Sequence, residues 1–346
     1  MHAPIRIARE TAARELCCSL GLTSVRFRRK FRSQSGEPAV QPHKERETTN
    51  MMDGRKFVLR FVSLAFLCAL ASSVSAQMPA MPPSEPLSVK LIKNGVYWMQ
   101  GGSGGNTGFV VGKDGVIVFD SKMTPDSTKE MLAAIAKITP KSVTHVILSH
   151  SDADHVNGLA GFPKGVTIIA QENCKKEMEA SKGSPMAAPQ DYLPTQTFDK
   201  EMDVTIDGLR VQFRHWVPAH TSGDLIMILP DEKIVFGGDL VDLTQFALVH
   251  AQKGGNTEGW ITSMKGILAI DADTFVSGHG GLETKTTLKA RLVAVEARRA
   301  KIKEMVVAGK SLDEIKQTAG PEEPPYGPFK SPGFTEVVYQ ELTKKS

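Results

Sequence analysis

Residues 143–158, Val-Thr-His-Val-Ile-Leu-Ser-His-Ser-Asp-Ala-Asp-His-Val-Asn-Gly, constrain this chain more than any other stretch. Val143, Val146, Ile147 and Leu148 predict a buried strand, and His150, Asp152, Asp154 and His155 crowd together just beyond its end. A strand that stops in such a cluster places it at a sheet edge, where open α/β sheets bind their ligands. Two carboxylates that close in a water-poor cleft repel each other unless a cation lies beside them. The plainer alternative is a polar turn in which Asp154 caps a helix. The rest of the chain weighs against it by supplying matching partners.

Composition needs editing before it informs. Residues 1–50 are basic, with Arg26, Arg28, Arg29, Lys30 and Arg32 clustered and no sustained periodicity, and are expected to be a disordered extension. A basic arm for nucleic acid or membrane is the rival reading. Within residues 51–76, Arg55 and Lys56 lead into apolar Phe57 to Leu70, interrupted by Arg60, and Val74 and Ala76 precede Gln77. That order predicts a cleaved secretory signal, its apolar core short for a bilayer span, and hence translation from Met51 or Met52 and a periplasmic or secreted protein. Residues 1–76 carry +7 of a chain whose total is +4, so the remainder carries −3. No affinity for nucleic acid is expected of it, and no membrane anchor after cleavage. Cys17, Cys18 and Cys68 leave with the signal, so Cys174 has no internal disulfide partner.

Residues 77–87 form a Pro-rich linker, and 88–346 are long enough for one large domain. Strands are expected at 88–92, 96–100, 107–111 and 116–119, an antiparallel meander with turns at Asn94-Gly95 and Lys113-Asp114-Gly115. The glycine-rich stretch 101–108 reads as a mobile loop. A helix follows at 125–138, a strand at 166–170, a helix at 172–180 and an irregular loop over the site at 181–198. Hairpins are expected of strands 204–206 and 210–217 about Asp207-Gly208 and of strands 225–229 and 234–236 about Pro230-Asp231, then helices at 257–270, 285–308, 311–318 and 333–343, with one more strand at 274–277. Two runs of strands, each followed by helices, predict an α+β fold: an αββα sandwich of two mixed sheets face to face with helices outside.

Three further strands end in metal-liking residues. His220 follows Trp216-Val-Pro-Ala, Asp239 follows Ile234-Val-Phe-Gly-Gly, and His279 follows Phe275-Val-Ser-Gly. With the central four they make seven donors, which suit two metal ions about 3.5–4 Å apart bridged by a carboxylate. The motifs resemble, in order, those of the metallo-β-lactamase superfamily over most of residues 88–282: Asp120 ending a strand, the His150–His155 block, His220 in Ala-His-Thr-Ser-Gly-Asp, Asp239 after Gly-Gly, and His279 in Gly-His-Gly. The resemblance implies that His150, Asp152 and His220 hold a first metal, that Asp154, His155 and His279 hold a second, and that Asp239 bridges them. Asp120 would support the site without ligating. It implies a small-molecule substrate and two Zn2+ ions that activate water against an ester, lactone, thioester or amide. Asp154 and Asp239 would then be the catalytic carboxylates, orienting the nucleophile or taking its proton.

One position departs from the family pattern. Asp152 stands where the family most often has a second histidine, and two His with one carboxylate also suit Fe or Mn at the first position. The alternatives are therefore a β-lactamase proper, an iron-dependent oxidoreductase of the same fold, and a non-catalytic metal-binding protein. Asp239 as the bridge is more similar to the broader hydrolase branches than to dedicated lactamases. Among the other chemistry-bearing side chains, His145 and His215 read as strand residues facing elsewhere, while His250 stands between lining the cleft and packing. Trp98, Trp216 and Trp260 read as core, and Cys174 as a small apolar filler.

Overall fold

The computed structural model of the chain describes residues 85–322 and 332–344; the expectations for the basic extension, the signal and most of the linker lie outside them. β1 (Ser88–Lys93), β2 (Val96–Gln100), β3 (Thr107–Val111) and β4 (Val116–Phe119) pair antiparallel in succession, the predicted meander. Asn94 and Gly95 both take positive φ, 44° and 78°, as the tight β1–β2 turn demands. β5 (Val143–Ile147), β6 (Thr167–Gln171) and β7 (Gln196–Phe198) continue the same sheet in parallel, giving a seven-stranded sheet ordered β1 to β7.

Parallel pairing needs crossovers, and helices supply them. α1 (Pro125–Ala136) joins β4 to β5; Thr124 caps it by accepting from the Ser127 amide, and Pro125 occupies its first turn. α2 (Ala153–Val156) is a single turn after β5, and α3 (Glu172–Ala180) follows β6.

The second sheet has six strands. β8 (Glu201–Ile206), β9 (Leu209–Arg214), β10 (Ile226–Leu229) and β11 (Ile234–Gly238) are antiparallel neighbours, β12 (Thr274–Ser277) lies parallel to β11, and the short β13 (Leu282–Glu283) closes that edge. α4 (Thr257–Ala269), α5 (Lys285–Val307), α6 (Leu312–Ala319) and α7 (Phe334–Thr343) follow from the same half.

Three apolar layers show why several strands read as continuous apolar runs. Ile117 and Phe119 of β4 meet Met227, Leu229, Ile234 and Phe236 of β10 and β11 between the sheets. Val116 and Val118 face the other way, onto Met131 and Ile135 of α1 and Met178 of α3. Ile226, Ile228 and Val235 face Trp260, Ile267, Leu288 and Val338 of the C-terminal helices. A strand covered on both faces has no solvent side, so the polar half of its alternation disappears. The result is helix, sheet, sheet, helix, the expected sandwich.

Four local expectations change. β9 ends at Arg214 and not at Val217, because His215 turns its ring nitrogen Nδ1 to the Asp224 carbonyl at 2.8 Å. Segment 189–198 does not lie over the site. Thr195 bonds Ile168 along the edge of β6, Tyr192 reaches the Phe162 carbonyl, and β7 then adds a strand there. The helix after β5 is the single turn α2, and its N-cap is Asp152, with Asp154 inside it and not capping it. The glycine-rich loop is pinned and not mobile. Gly102 N–H donates to Glu85 O, Gly105 N–H to Asp154 O and Asn106 N–H to Gly278 O, while the Lys122 ammonium donates to Gly101 O and Gly105 O at 2.7 and 2.8 Å.

Candidate metal centre

All seven candidate donors lie together, at the ends of β5, β11 and β12, on the turns after them and on the loop between β9 and β10. His150 and Asp152 follow β5, and Asp154 and His155 stand on α2, whose N-cap is Asp152. Asp239 follows β11 directly, and His279 follows β12. His220 comes from the loop between β9 and β10.

They form overlapping groups: His150, Asp152 and His220; His150, His155 and Asp239; Asp154, His155 and His279. In the first group Asp152 Oδ2 is 3.4 Å from His150 Nε2 and 3.2 Å from His220 Nε2. In the last, Asp154 Oδ2 is 3.4 Å from His155 Nε2 and 3.2 Å from His279 Nε2. Asp239 stands between, with Oδ2 3.8 Å from His150 Nε2, 3.7 Å from His220 Nε2 and 3.6 Å from His279 Nε2, and Oδ1 3.4 Å from His155 Nε2. Donors held about 2.1 Å from a tetrahedral ion stand about 3.4 Å apart, which is the spacing found here.

The outer nitrogens decide which way each ring presents itself. His155 Nδ1 lies 2.9 Å from Asp120 Oδ2 and His220 Nδ1 lies 3.0 Å from the Leu248 carbonyl, both acceptors, so each Nδ1–H donates outward. Ser149 gives its one hydroxyl proton to Asp120 Oδ2 and its amide to Oδ1, so its oxygen accepts from His150 Nδ1–H at 2.8 Å. Three buried imidazoles thus turn their Nε2 atoms inward. His150 Nε2 and Asp239 Oδ1 are buried without a hydrogen-bond partner, which is costly unless a cation takes the lone pairs.

Electrostatics agree. Burial alone would push His220 and His279 down, but Asp152 around His220 and Asp239 with Asp154 around His279 outweigh it, raising them to about 9 and about 10. The same pairings hold Asp152, Asp154 and Asp239 well below the usual carboxylate range against the opposing effect of burial. The cluster demands positive charge, and protons supply it when nothing else does.

Glycines make room for this. A Cβ on Gly278 would come 2.0 Å from Asp239 Oδ1, and one on Gly105 would come 2.4 Å from His155 Cε1, so the loop can lie against the imidazole only as glycine.

The sequence pattern of the metallo-beta-lactamase superfamily matches residues 100–279, a span that begins at the glycine-rich loop and ends on His279. The chain belongs to that superfamily. Among curated relatives, a linear primary-alkylsulfatase of Pseudomonas sp. is 26% identical over 48% of this chain and 40% of its own length. The 2,4-dinitroanisole O-demethylase subunit alpha of Nocardioides sp. is 24% identical over 60% of this chain and 62% of its own length. The chain therefore spans between 40% and 62% of these two relatives. Among solved structures, the inverting sec-alkylsulfatase of Pseudomonas sp. superposes with TM-score 0.59 at 14% identity, covering 74% of this chain and 50% of that one. The metallo-beta-lactamase from Pontibacter korlensis gives 0.52 at 22% identity, over 61% and 99%. These likenesses establish the fold of the superfamily in this chain.

Several residues at the centre escaped the sequence reading. Lys122 is fully buried; burial pushes its ammonium down to about 8 against the opposing pull of Asp120 and Asp154, and it staples the glycine-rich loop. His250, left open from sequence, lies at the rim with Nδ1 2.9 Å from Asp152 Oδ2 but out of line for a hydrogen bond. Lys253 Nζ meets Asp152 Oδ1 at 2.5 Å. Single lysines carry no spacing signal, so only the fold could reveal the last two contacts. His145 stays outside the cluster, near Thr144 and Asp207. Cys174 is fully buried, and burial with Glu177 pushes its thiol well up, which fits a packing role.

Asp120 supports the centre without facing it. Asp120→Ala would leave the Ser149 amide and the His155 Nδ1–H without their acceptor and free the ring to turn. Metal affinity is expected to fall about 10–100-fold with the fold retained. Competition against a chelating dye measures this, and unchanged affinity would refute the supporting role.

Proposed function

We propose that the chain is a metal-dependent hydrolase, exported from the cytoplasm, that binds two divalent ions and cleaves ester-type bonds of a small molecule. The observation that carries this reading is the inward convergence of Nε2 atoms and carboxylates around Asp239, in overlapping groups with spacings that fit two ions. His150, Asp152 and His220 would hold the first, Asp154, His155 and His279 the second, and Asp239 both. Zn2+ fits His-rich tetrahedral groups, while the carboxylate at 152 also admits Fe or Mn at the first position.

Bound there, such ions lower the pKa of a coordinated water towards neutrality and polarise an electrophilic centre. The chain's own part is orientation. Asp120, Ser149 and the Leu248 carbonyl fix the tautomers of His155, His150 and His220. Asp239 is held ionised by His279, His155 and His150 despite its burial and can steer a nucleophile on either side. Asp154, partly open to solvent, is placed to pass a proton outward.

Relatives named as an alkylsulfatase, an atrochrysone carboxyl ACP thioesterase and metallo-beta-lactamases support hydrolysis as the reaction class. Export rests on the signal-like order of residues 51–76. Protein loaded with Zn2+, Mn2+ or Fe2+ is expected to hydrolyse at least one of an alkyl sulfate, an aryl ester, a lactone, a thioester and nitrocefin. A protein that holds two ions yet turns over none of them would overturn the proposal.

A further inference from the structure

We infer that Lys253 is a positioning residue that lets Asp152 serve where a neutral imidazole would otherwise stand, by holding Oδ1 and leaving the carboxylate one free oxygen turned to the histidines. The inference rests on the metal-centre reading above. Asp152 is almost buried, and its two oxygens have separate surroundings. Oδ2 faces His150, His220 and His250 at 3.4, 3.2 and 2.9 Å, whereas Oδ1 accepts from Lys253 Nζ at 2.5 Å. With Oδ1 occupied, Asp152 has a single oxygen to offer a cation. A histidine offers a single nitrogen in the same way.

The lysine is held in place from several sides. Its Nζ also donates to the Ser151 hydroxyl at 3.0 Å and the Ser151 carbonyl at 3.2 Å, giving one acceptor for each ammonium proton. Its backbone N–H donates to His250 O, and its carbonyl accepts from Ser222 N–H. Ser151 and Ser222 are in turn tied together, because their hydroxyls donate to the two oxygens of Glu177. The loops carrying Asp152, His220 and Lys253 are therefore fastened to one another on the side away from the second group of donors. Exposed ion pairs between long side chains contribute little because solvent screens them. This pair differs in having a buried carboxylate that faces the donor cluster.

The positioning role makes a reciprocal prediction: with histidine at 152 the lysine has no carboxylate oxygen to hold and only repels a cation. Zn2+ binding is measured for the parent, Lys253→Met, Lys253→Arg, Asp152→His and the double variant D152H/K253M, by metal analysis and dye competition, with circular dichroism to confirm folding. Lys253→Met is expected to weaken one of two Zn2+ sites about 10–100-fold and leave the other, and Lys253→Arg to stay within about threefold of the parent. D152H/K253M should bind the first ion more tightly than either single variant, a coupling that lost packing alone does not produce. Equal or tighter affinity in Lys253→Met than in the parent, or a double variant weaker than both singles, overturns this inference alone. A parent that binds no metal overturns the metal-centre reading and this with it.

Discussion

His155→Ala is expected to lower hydrolysis by about three orders of magnitude or more, on the order of 4 kcal/mol of transition-state stabilisation, and to reduce bound metal from two ions to one. The imidazole is wholly buried and performs two jobs at once. Its Nε2 is 3.4 Å from both Asp154 Oδ2 and Asp239 Oδ1, and its Nδ1 anchors on Asp120. Alanine removes a donor from the second group and leaves Asp154, Asp239 and Asp120 with less positive charge to balance them. His145→Ala, on β5 but outside the cluster, serves as the control and should leave rate and metal content unchanged. Two ions per chain with undiminished turnover in His155→Ala would contradict the assignment of the second position.

A second large effect concerns pH. In metal-free protein His220 titrates at about 9 and His279 at about 10, and His155 also lies well above its ordinary value. A metal ligand must be neutral, so near pH 7 loading the centre must expel at least two protons. The sign follows directly: at fixed free metal, the ratio of loaded to empty protein falls at least about 100-fold for each pH unit of acidification below about 9, and the dependence flattens above about 10. Calorimetric titration with Zn2+ in buffers of different ionisation enthalpy counts the protons. Fewer than one proton released at pH 7 would show that the carboxylates do not hold these imidazoles charged.

Much of the architecture was legible because local rules and the tertiary fold agree. The meander β1–β4 reads from Asn94-Gly95 and the short apolar runs, and α1 reads from Thr124 and Pro125. Its limits show at β9, where the apolar pattern ran past the true end, and at β7, three residues long and recognisable only by its neighbour. The glycine-rich loop misled for a physical reason. Glycine signals freedom in isolation, yet here it marks a backbone pressed against His155 and fastened by Lys122.

The sequence by itself determined which residue types end which strands, because a metal-liking side chain after an apolar run is visible without coordinates. It thereby pointed to the candidate donors and to the fold class. Only the tertiary structure decided that residues from 120 to 279 in the chain meet at one edge, that Asp120, Ser149 and Leu248 turn three imidazoles inward, and that Lys253 stands against Asp152. The reason is that a ligand's identity is a local property, whereas its orientation and charge balance come from groups far along the chain that no spacing rule connects.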